Sequence, residues 1–476
     1  MSLVLTLVAF VEVGGLALIA FFIINLGNLT TKIAENVYLL DFLNYFSISS
    51  DQALWLFCGL VFIYSLFSVV VSILSIRLIS IFSEMVGSNI KTRLLSYYLN
   101  LDWGDFTKTQ SSKTISRILV DADRVADIIN FLMNLFNKII LTTLIILSLF
   151  VFNSFLTFWL SLILGSAYIL IFQCFKYIVS RNSWEIVDLT ERSISIVNNM
   201  FGSFKELLFY GNQKKVTSNF KEEVQKLANL KGVNTSYGQT PRYLIDAILL
   251  LLLAGFSVFV TYENIGTMAF YATLSVYGVA ALKLLPAFQN IFYFSHEIYT
   301  RLPNLENVKA LLIKPLRKEN KSESSSLLSF EREISFNNVS FSFDGSSISA
   351  LKDINLTIKK GEKIAIVGPT GSGKSTFIDI LLGFLEPVSG AIYMDHQKIT
   401  PENQVSFRTN FAFVPQKIFF LEDSIRENIL FGAKSELTDN NLLEKIIKEL
   451  QFDSIIKSNK TLDSSLSDSN QTVSGG

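Results

Sequence analysis

The first two thirds of the chain consist of long apolar runs, separated by segments in which apolar and charged residues alternate. Residues 52–76 contain no Asp, Glu, Lys or Arg, and residues 139–175 are also free of charge. A membrane-spanning helix needs about 20 predominantly apolar residues, so runs of this length predict transmembrane helices. Asn153-Ser154 is a polar pair that predicts a tight turn between two spans. Six spans are predicted in all, at about residues 3–26, 52–76, 131–152, 155–176, 243–262 and 264–285.

Basic residues are concentrated in two of the segments that connect the spans. Seven lie between residues 77 and 124 and ten between residues 176 and 242, whereas the other connections contain Lys32 alone. Cytoplasmic segments carry an excess of Lys and Arg, so we expect these two segments and both chain ends to be cytoplasmic. Their helical periodicity predicts that the spanning helices continue into the cytosol and turn back near residues 101–106 and 204–212.

Composition agrees with a membrane protein. Hydrophobic residues make up 50% of the chain and charged residues only 17%, with a mean hydropathy of +0.41. Average soluble domains carry about 25% charged residues. The 41 basic and 41 acidic side chains cancel, so no basic field predicts a nucleic-acid partner. Two cysteines are too few for a disulfide scaffold.

The character of the sequence changes after residue 312. Residues 313–330 are polar and rich in serine, which is typical of a linker, and residues 331–476 have the shorter alternation of a second domain. The transmembrane domain is accordingly predicted at residues 1–312. Within the second domain we expect strands at residues 334–336, 339–343, 354–358 and 363–367, the last of them a buried strand.

A phosphate-binding pattern, G-x-x-x-x-G-K-S, follows the last of these strands. Its residues and the threonine after them are Gly368, Pro369, Thr370, Gly371, Ser372, Gly373, Lys374, Ser375 and Thr376. Glycines let backbone N–H groups turn inward around phosphate oxygens, and the helix predicted from Phe377 onward adds its positive N-terminal dipole. The pattern predicts a nucleotide site in which Lys374 contacts the β- and γ-phosphates and Ser375 binds Mg²⁺.

Taken together, these features resemble an ABC exporter half-transporter. That family joins an all-α bundle of six transmembrane helices, here of the type IV exporter kind, to an α/β P-loop nucleotide-binding domain. Phe343 lies where the family has an aromatic residue that stacks on adenine. Gln416, in Val-Pro-Gln, matches the Q-loop glutamine, which contacts Mg²⁺ and the attacking water. Ser474, Gly475 and Gly476 resemble the start of the signature motif, which in the family covers the ATP bound to the other subunit.

The resemblance implies ATP and Mg²⁺ as cofactors and a second half-transporter as partner, with a homodimer expected. In the family an Asp and a catalytic Glu follow the signature motif, whereas the printed sequence stops at Gly476. We therefore expect a C-terminally truncated fragment of an ATP-hydrolysing transporter, which binds ATP without hydrolysing it alone. Gln416 is then the one catalytic residue of the family that it carries. A non-hydrolysing partner subunit or regulator is the alternative.

Three charged residues within or beside the spans are candidates for substrate contact. Glu12 lies in the first span, and Arg242 and Lys283 lie in the inner halves of the last two. Charge inside a bilayer is costly and normally faces a cavity or a partner, so the two cations suit an anionic head group. The alternative is that both side chains extend to the inner membrane interface.

Four short segments are similar to bacterial flippases of lipid-linked oligosaccharides. They are residues 10–12, 204–207, 241–242 and 284–286. The expected function is ATP-driven export or flipping of a lipid-linked or other amphipathic anionic substrate across the plasma membrane, here the bacterial inner membrane. Export of drugs or peptides by the same architecture is the alternative.

Overall fold

The computed structural model describes residues 2–25, 50–262, 267–314, 328–343, 348–416, 420–431, 440–451 and 462–464. The chain forms two compact units, Met1–Glu319 and Asn320–Gly476. The described part of the first unit is helical, and that of the second contains a β-sheet flanked by short helices. Most of the predicted linker, residues 315–327, lies outside the described residues.

Long helices dominate the described part of the first unit. They are α1 (Ser2–Asn25), α2 (Ser50–Leu99), α3 (Trp103–Thr107), α4 (Ser111–Ile115), α5 (Ala122–Phe152), α6 (Ser154–Gly202), α7 (Phe204–Tyr210), α8 (Gln213–Tyr262) and α9 (Thr267–Ile313). At 1.5 Å per residue, the 50 residues of α2 extend about 75 Å, far more than the roughly 30 Å of hydrocarbon in a bilayer. The predicted turning points coincide with the short helices α3 and α7, which confirms that the long helices turn back there.

Three helices within the described residues are both long and apolar enough to cross a membrane. They are Cys58–Leu99, Ser111–Phe152 and Ser154–Gly202, the second of which includes α4, α5 and the π-helical turn Ser116–Asp121 between them. The described part of α1 contributes a shorter apolar helix, Val4–Gly15. The bounds predicted for the six spans and the two domains stay predictions.

The predicted turn between α5 and α6 is confirmed at Asn153. Its side-chain oxygen accepts a hydrogen bond of 3.0 Å from the N–H of Leu156, which caps the start of α6. Thr157, one turn into α6, lies with its hydroxyl 2.7 Å from the Tyr277 hydroxyl of α9. The turn is therefore fixed both locally and against a distant helix.

Buried polar contacts connect the helices beyond the predicted spans. The Asp121 carboxylate, at the end of the π-helical turn, accepts hydrogen bonds from the side-chain amides of Asn304 at 2.7 Å and Asn307 at 3.1 Å. Gly87 of α2 faces Ala126 of α5 so closely that an added Cβ would lie 2.7 Å from the alanine methyl. Small side chains and paired amides thus let α2, α5 and α9 approach one another.

The described part of the second unit contains a four-stranded antiparallel sheet in the order β2-β1-β3-β4. Its strands are β1 (Glu333–Phe341), β2 (Leu351–Lys359), β3 (Ser389–Met394) and β4 (Gln397–Lys398). The helices are α10 (Lys374–Leu381), α11 (Gln404–Arg408), α12 (Ile425–Ile429) and α13 (Asn440–Glu449). The core lies between the sheet and α10, where the Phe336 and Phe377 rings stack at 5.0 Å.

The two strands predicted at residues 334–336 and 339–343 are a single strand, β1. Residues three apart in a regular strand point to opposite faces of the sheet. Phe336 and Val339 are nevertheless both buried, because the register shifts between them. Asn338 adopts a φ of 49° at this bulge. Gly390 of β3 lies against it, where a Cβ would come within 2.3 Å of the Asn338 carbonyl oxygen. The bulge returns the apolar side chains of β1 to the core face.

The predicted buried strand at residues 363–367 is wrong. The segment has no regular strand geometry and is exposed, and the Val367 side chain is 87% accessible to solvent. A strand persists only beside a neighbour that pairs its backbone N–H and C=O groups. Among the described residues no segment pairs with it, so its apolar composition alone does not produce a strand. The strand predicted at residues 354–358 is confirmed as part of β2.

Asp395 connects the β3–β4 turn to the start of β1. It and His396 have φ values of 47° and 74°, as a two-residue hairpin turn requires. Its carboxylate accepts hydrogen bonds from the backbone N–H groups of Arg332 and Glu333, both at 2.7 Å, and from that of Glu331. Burial acts to raise the pKa of Asp395, but these three N–H donors outweigh it and lower the pKa below its ordinary value.

We expect Asp395→Ala to lower the free energy of unfolding by roughly 1.5–4.5 kcal/mol, because a net protein hydrogen bond contributes roughly 0.5–1.5 kcal/mol and three are lost. Asp395→Asn is the control, since Asn tolerates positive φ and retains one acceptor oxygen. The folded carboxyl has the lower pKa, so its contribution is present above about pH 4 and declines as pH falls through the folded pKa. Thermal unfolding of the whole protein at pH 7 and in acid measures this. If the unfolding temperatures of the wild type and Asp395→Asn differed equally at both pH values, the proposed contribution of the ionised carboxylate would be contradicted.

Candidate nucleotide-binding site

The loop from Gly368 to Gly373 is an exposed, tightly turned segment that leads directly into α10. The N–H of Ser372 donates to the Pro369 carbonyl at 3.2 Å, which closes the turn. Gly371 and Gly373 both have a φ of +85°, a backbone conformation that residues other than glycine rarely adopt. Gly371 and Gly373 therefore occupy positions at which the backbone conformation requires glycine.

Gly373 has a second constraint, which comes from the sheet. A Cβ at this position would lie 2.6 Å from the Ala350 carbonyl oxygen, just before β2. Gly373 is also the N-cap of α10, whose first N–H groups have no partner within the helix. The close approach therefore fixes the positive end of the helix dipole next to the loop, where an anion binds favourably.

Lys374 lies folded over this loop. Its Nζ donates to the carbonyl oxygens of Gly368 and Pro369, both at 2.8 Å. The ammonium is thereby held against the loop. Ser375, the next residue, is exposed. The hydroxyl oxygen of Ser375 beside this loop is the hard ligand that Mg²⁺ prefers, so the residues present fit a magnesium nucleotide.

Phe343 follows β1 and is 48% exposed. Its ring meets that of Phe341 edge to face, with centroids 5.0 Å apart. The N–H of Ala350 donates to the Phe341 carbonyl at 2.8 Å, and the carbonyl of Ala350 faces Gly373. Phe343 thus follows the strand that is hydrogen-bonded to Ala350, and Ala350 contacts the phosphate loop. No feature of the sequence indicated that Ala350 connects the two.

The other predicted nucleotide contacts are not brought to the loop within the described residues. Gln416 is exposed, and none of the hydrogen bonds of the described residues joins it to the loop. The preceding Val414 is 86% exposed. Ser474, Gly475 and Gly476 lie outside the described residues. Their roles in nucleotide binding stay predictions.

Glu12 has partners within its own bundle. Its carboxylate accepts a hydrogen bond of 2.8 Å from the Ser72 hydroxyl of α2, and Lys138 of α5 lies 4.0 Å from its second oxygen. The Glu12 side chain is only 13% exposed. These contacts connect α1, α2 and α5, so they give Glu12 a structural role, and contact with substrate stays a prediction.

Arg242 of α8 and Lys283 of α9 differ from Glu12 because both are exposed. Among the described residues, neither the Arg242 nor the Lys283 side chain forms a hydrogen bond or an ion pair. Asp246, one turn from Arg242, is instead held by the side-chain amide of Gln289 at 3.0 Å. The two predicted substrate cations are therefore available to an external anion.

Comparison with known proteins identifies both units. Residues 18–231 match the ABC transporter transmembrane region, and residues 351–476 match the ABC transporter family. The chain is 23% identical over 414 residues to the ATP-dependent lipid A-core flippase of Salmonella typhimurium, covering 86% of this chain and 70% of that protein. The flippase of the same name from Wigglesworthia glossinidia brevipalpis is 23% identical over 407 residues, covering 84% of this chain and 68% of its own.

A solved structure shows the same fold. The structure of a bacterial Atm1-family ABC exporter with ATP bound superposes with a TM-score of 0.71 at 18% identity, covering 94% of this chain and 79% of that one. A likeness at this identity establishes the architecture of a helical transmembrane domain followed by a nucleotide-binding domain. The chain belongs to the ABC transporters, as a half-transporter in which an ATP-binding domain follows a membrane-spanning one.

Proposed function

We propose that this protein uses ATP to export or flip an amphipathic anionic substrate across a bacterial inner membrane. The observation that carries the proposal is the loop at Gly373, where the positive φ of two glycines, the start of α10 and the Lys374 ammonium come together in one short segment. Arg242 and Lys283 are exposed and have no ion-pair partner among the described residues, which supports an anionic substrate.

In this proposal two copies of the half-transporter pair as a homodimer. Lys374 binds the β- and γ-phosphates, Phe343 stacks on the adenine, and Ser375 and Gln416 hold Mg²⁺. Ser474, Gly475 and Gly476 of each copy cover the phosphates bound by the other. ATP draws the nucleotide domains together, the short helices α3 and α7 transmit the movement, and hydrolysis resets the pair.

The lipid character of the substrate rests on two further points. The curated relatives reported above are named as flippases of lipid A-core, and they are similar to this chain over more than four fifths of its length. Arg242 and Lys283 supply the positive charge that a phosphate-bearing lipid requires. Their exposed neighbours are apolar, since Leu282 is 75% exposed, so the surroundings suit an amphiphile.

The phosphate-loop assignment is tested by nucleotide binding. We expect Lys374→Ala to weaken ATP binding roughly tenfold to a hundredfold, because a hydrogen bond to a charged group contributes about 1.5–3 kcal/mol. Lys445→Ala, an exposed lysine of α13 in the same unit, is the matched control and should bind as the wild type does. Displacement of a fluorescent ATP analogue from the purified protein measures both. Equal affinities for the two variants would contradict the assignment.

The role of Phe343 is tested by comparing ATP with inorganic tripolyphosphate. Phe343→Ala should weaken ATP roughly tenfold, since stacking of a base on an aromatic side chain contributes about 1–3 kcal/mol. Tripolyphosphate has no base and should bind unchanged. Phe343→Tyr keeps the ring face and serves as the control. A loss of equal size for ATP and tripolyphosphate would show that the ring supports the loop and does not bind adenine.

The substrate class is tested with probes of opposite charge. Wild-type protein in nanodiscs of neutral phosphatidylcholine should bind octyl phosphate saturably, in excess of empty discs. Tetraphenylphosphonium, a cationic amphiphile, should not bind above the empty-disc level, because Arg242 and Lys283 are positively charged and repel it. Saturable binding of tetraphenylphosphonium alone would favour a drug exporter and overturn the anionic substrate.

A further inference from the structure

Two contacts fix how α8 and α9 lie along one another. Gly238 of α8 faces His296 of α9, where an added Cβ would come within 2.8 Å of the imidazole Cδ2. Further along, Asp246 of α8 accepts a hydrogen bond of 3.0 Å from the Gln289 amide of α9. The contacts lie eight residues apart on α8 and seven apart on α9, in opposite directions. The two helices are therefore antiparallel, with a nearly constant register.

This register places the two unpaired cations at different levels. Arg242 lies midway between Gly238 and Asp246, so it is level with residues 292–293 of α9. Lys283 lies nine or ten residues beyond that level. At a rise of 1.5 Å per residue, the axial separation of Arg242 and Lys283 is roughly 14 Å. Side chains on a helix lean toward its N-terminus, so on these antiparallel helices the Arg242 and Lys283 side chains lean away from each other. An opposite charge acts strongly on an ionised group within only about 4–6 Å, so we expect each cation to pair with its own phosphate group.

A negative charge separates the two levels. Asp246 lies four residues after Arg242 on the same face of α8, or about 6 Å along the axis. The Gln289 amide holds its carboxylate in place, and no ion pair joins it to Arg242 among the described residues. An anion that moves along α8 from the level of Arg242 toward that of Lys283 passes the level of this carboxylate, which repels it. The charges along α8 and α9 therefore alternate as positive, negative and positive.

We propose that Arg242 and Lys283 form two separate anion sites, divided by Asp246, which the phosphate group of an amphiphilic substrate occupies one after the other. Arg242 receives the head group on the side of α8 that leads from the predicted cytoplasmic segment. Lys283 receives it at a level roughly 14 Å further along α9. This inference rests on the proposed function, because it assigns steps to the anionic substrate proposed there.

Stoichiometry of octyl phosphate binding tests the two-site arrangement. The probe is titrated by equilibrium dialysis into the full chain in phosphatidylcholine nanodiscs, with binding to empty discs subtracted. We expect two saturable sites per chain in the wild type, one in Arg242→Gln, one in Lys283→Gln and none in the double variant. Arg77→Gln removes an exposed cation of α2 and is the matched control, which should retain two sites. Asp246→Asn should retain two sites with higher affinity, because the repelling charge is gone.

The outcomes separate this inference from the proposal on which it rests. One site in the wild type that either single variant abolishes would show that both cations bind one group, which overturns the two-site arrangement and keeps the anionic substrate. Two sites that survive in the double variant would overturn any role for these cations. No saturable binding in the wild type would overturn the anionic substrate and the inference together. Circular dichroism of each variant checks that its helices are intact.

Discussion

The hydrocarbon interior of a membrane offers no water to pair with backbone N–H and C=O groups, and most features of the first unit follow from this. A helix satisfies those groups within itself, so long apolar segments form continuous helices such as α2 and α6. Some polar side chains on the long helices form hydrogen bonds or ion pairs with neighbouring helices. Glu12 does so with Ser72 and Lys138, and Thr157 does so with Tyr277. Backbone hydrogen bonds therefore stabilise the helices, and side-chain hydrogen bonds and ion pairs connect some of them to their neighbours.

In the second unit, a close contact between two backbone segments limits which residues fit at the phosphate loop. The Ala350 carbonyl lies so close to Gly373 that no side chain fits between them. This contact joins the hairpin that carries Phe343 to the loop that carries Lys374. The two segments that carry the proposed adenine and phosphate contacts are thus joined by one close approach of their backbones. It follows that a mutation at Gly373 would disturb the aromatic ring as well as the phosphate loop.

The charges of the transmembrane unit divide into those with internal partners and those without. Glu12 and Asp246 have contacts that connect helices, whereas Arg242 and Lys283 are exposed and unpaired among the described residues. A charged side chain within a bilayer costs free energy unless it is paired or hydrated, so an unpaired cation indicates a ligand more strongly than a paired one does. The distinction depends on distances between helices, and hydropathy does not reveal it.

The sequence by itself determined the features that depend on neighbouring residues. Charge-free runs predicted the apolar helices, Asn153 predicted the turn between α5 and α6, and the G-x-x-x-x-G-K-S pattern predicted the loop that begins α10. Only the tertiary structure decided what depends on distant segments. It joined two predicted strands through the bulge at Asn338 and left residues 363–367 without a strand partner. It also set Arg242 and Lys283 at different levels, because the register of two helices depends on contacts such as that of Gly238 with His296.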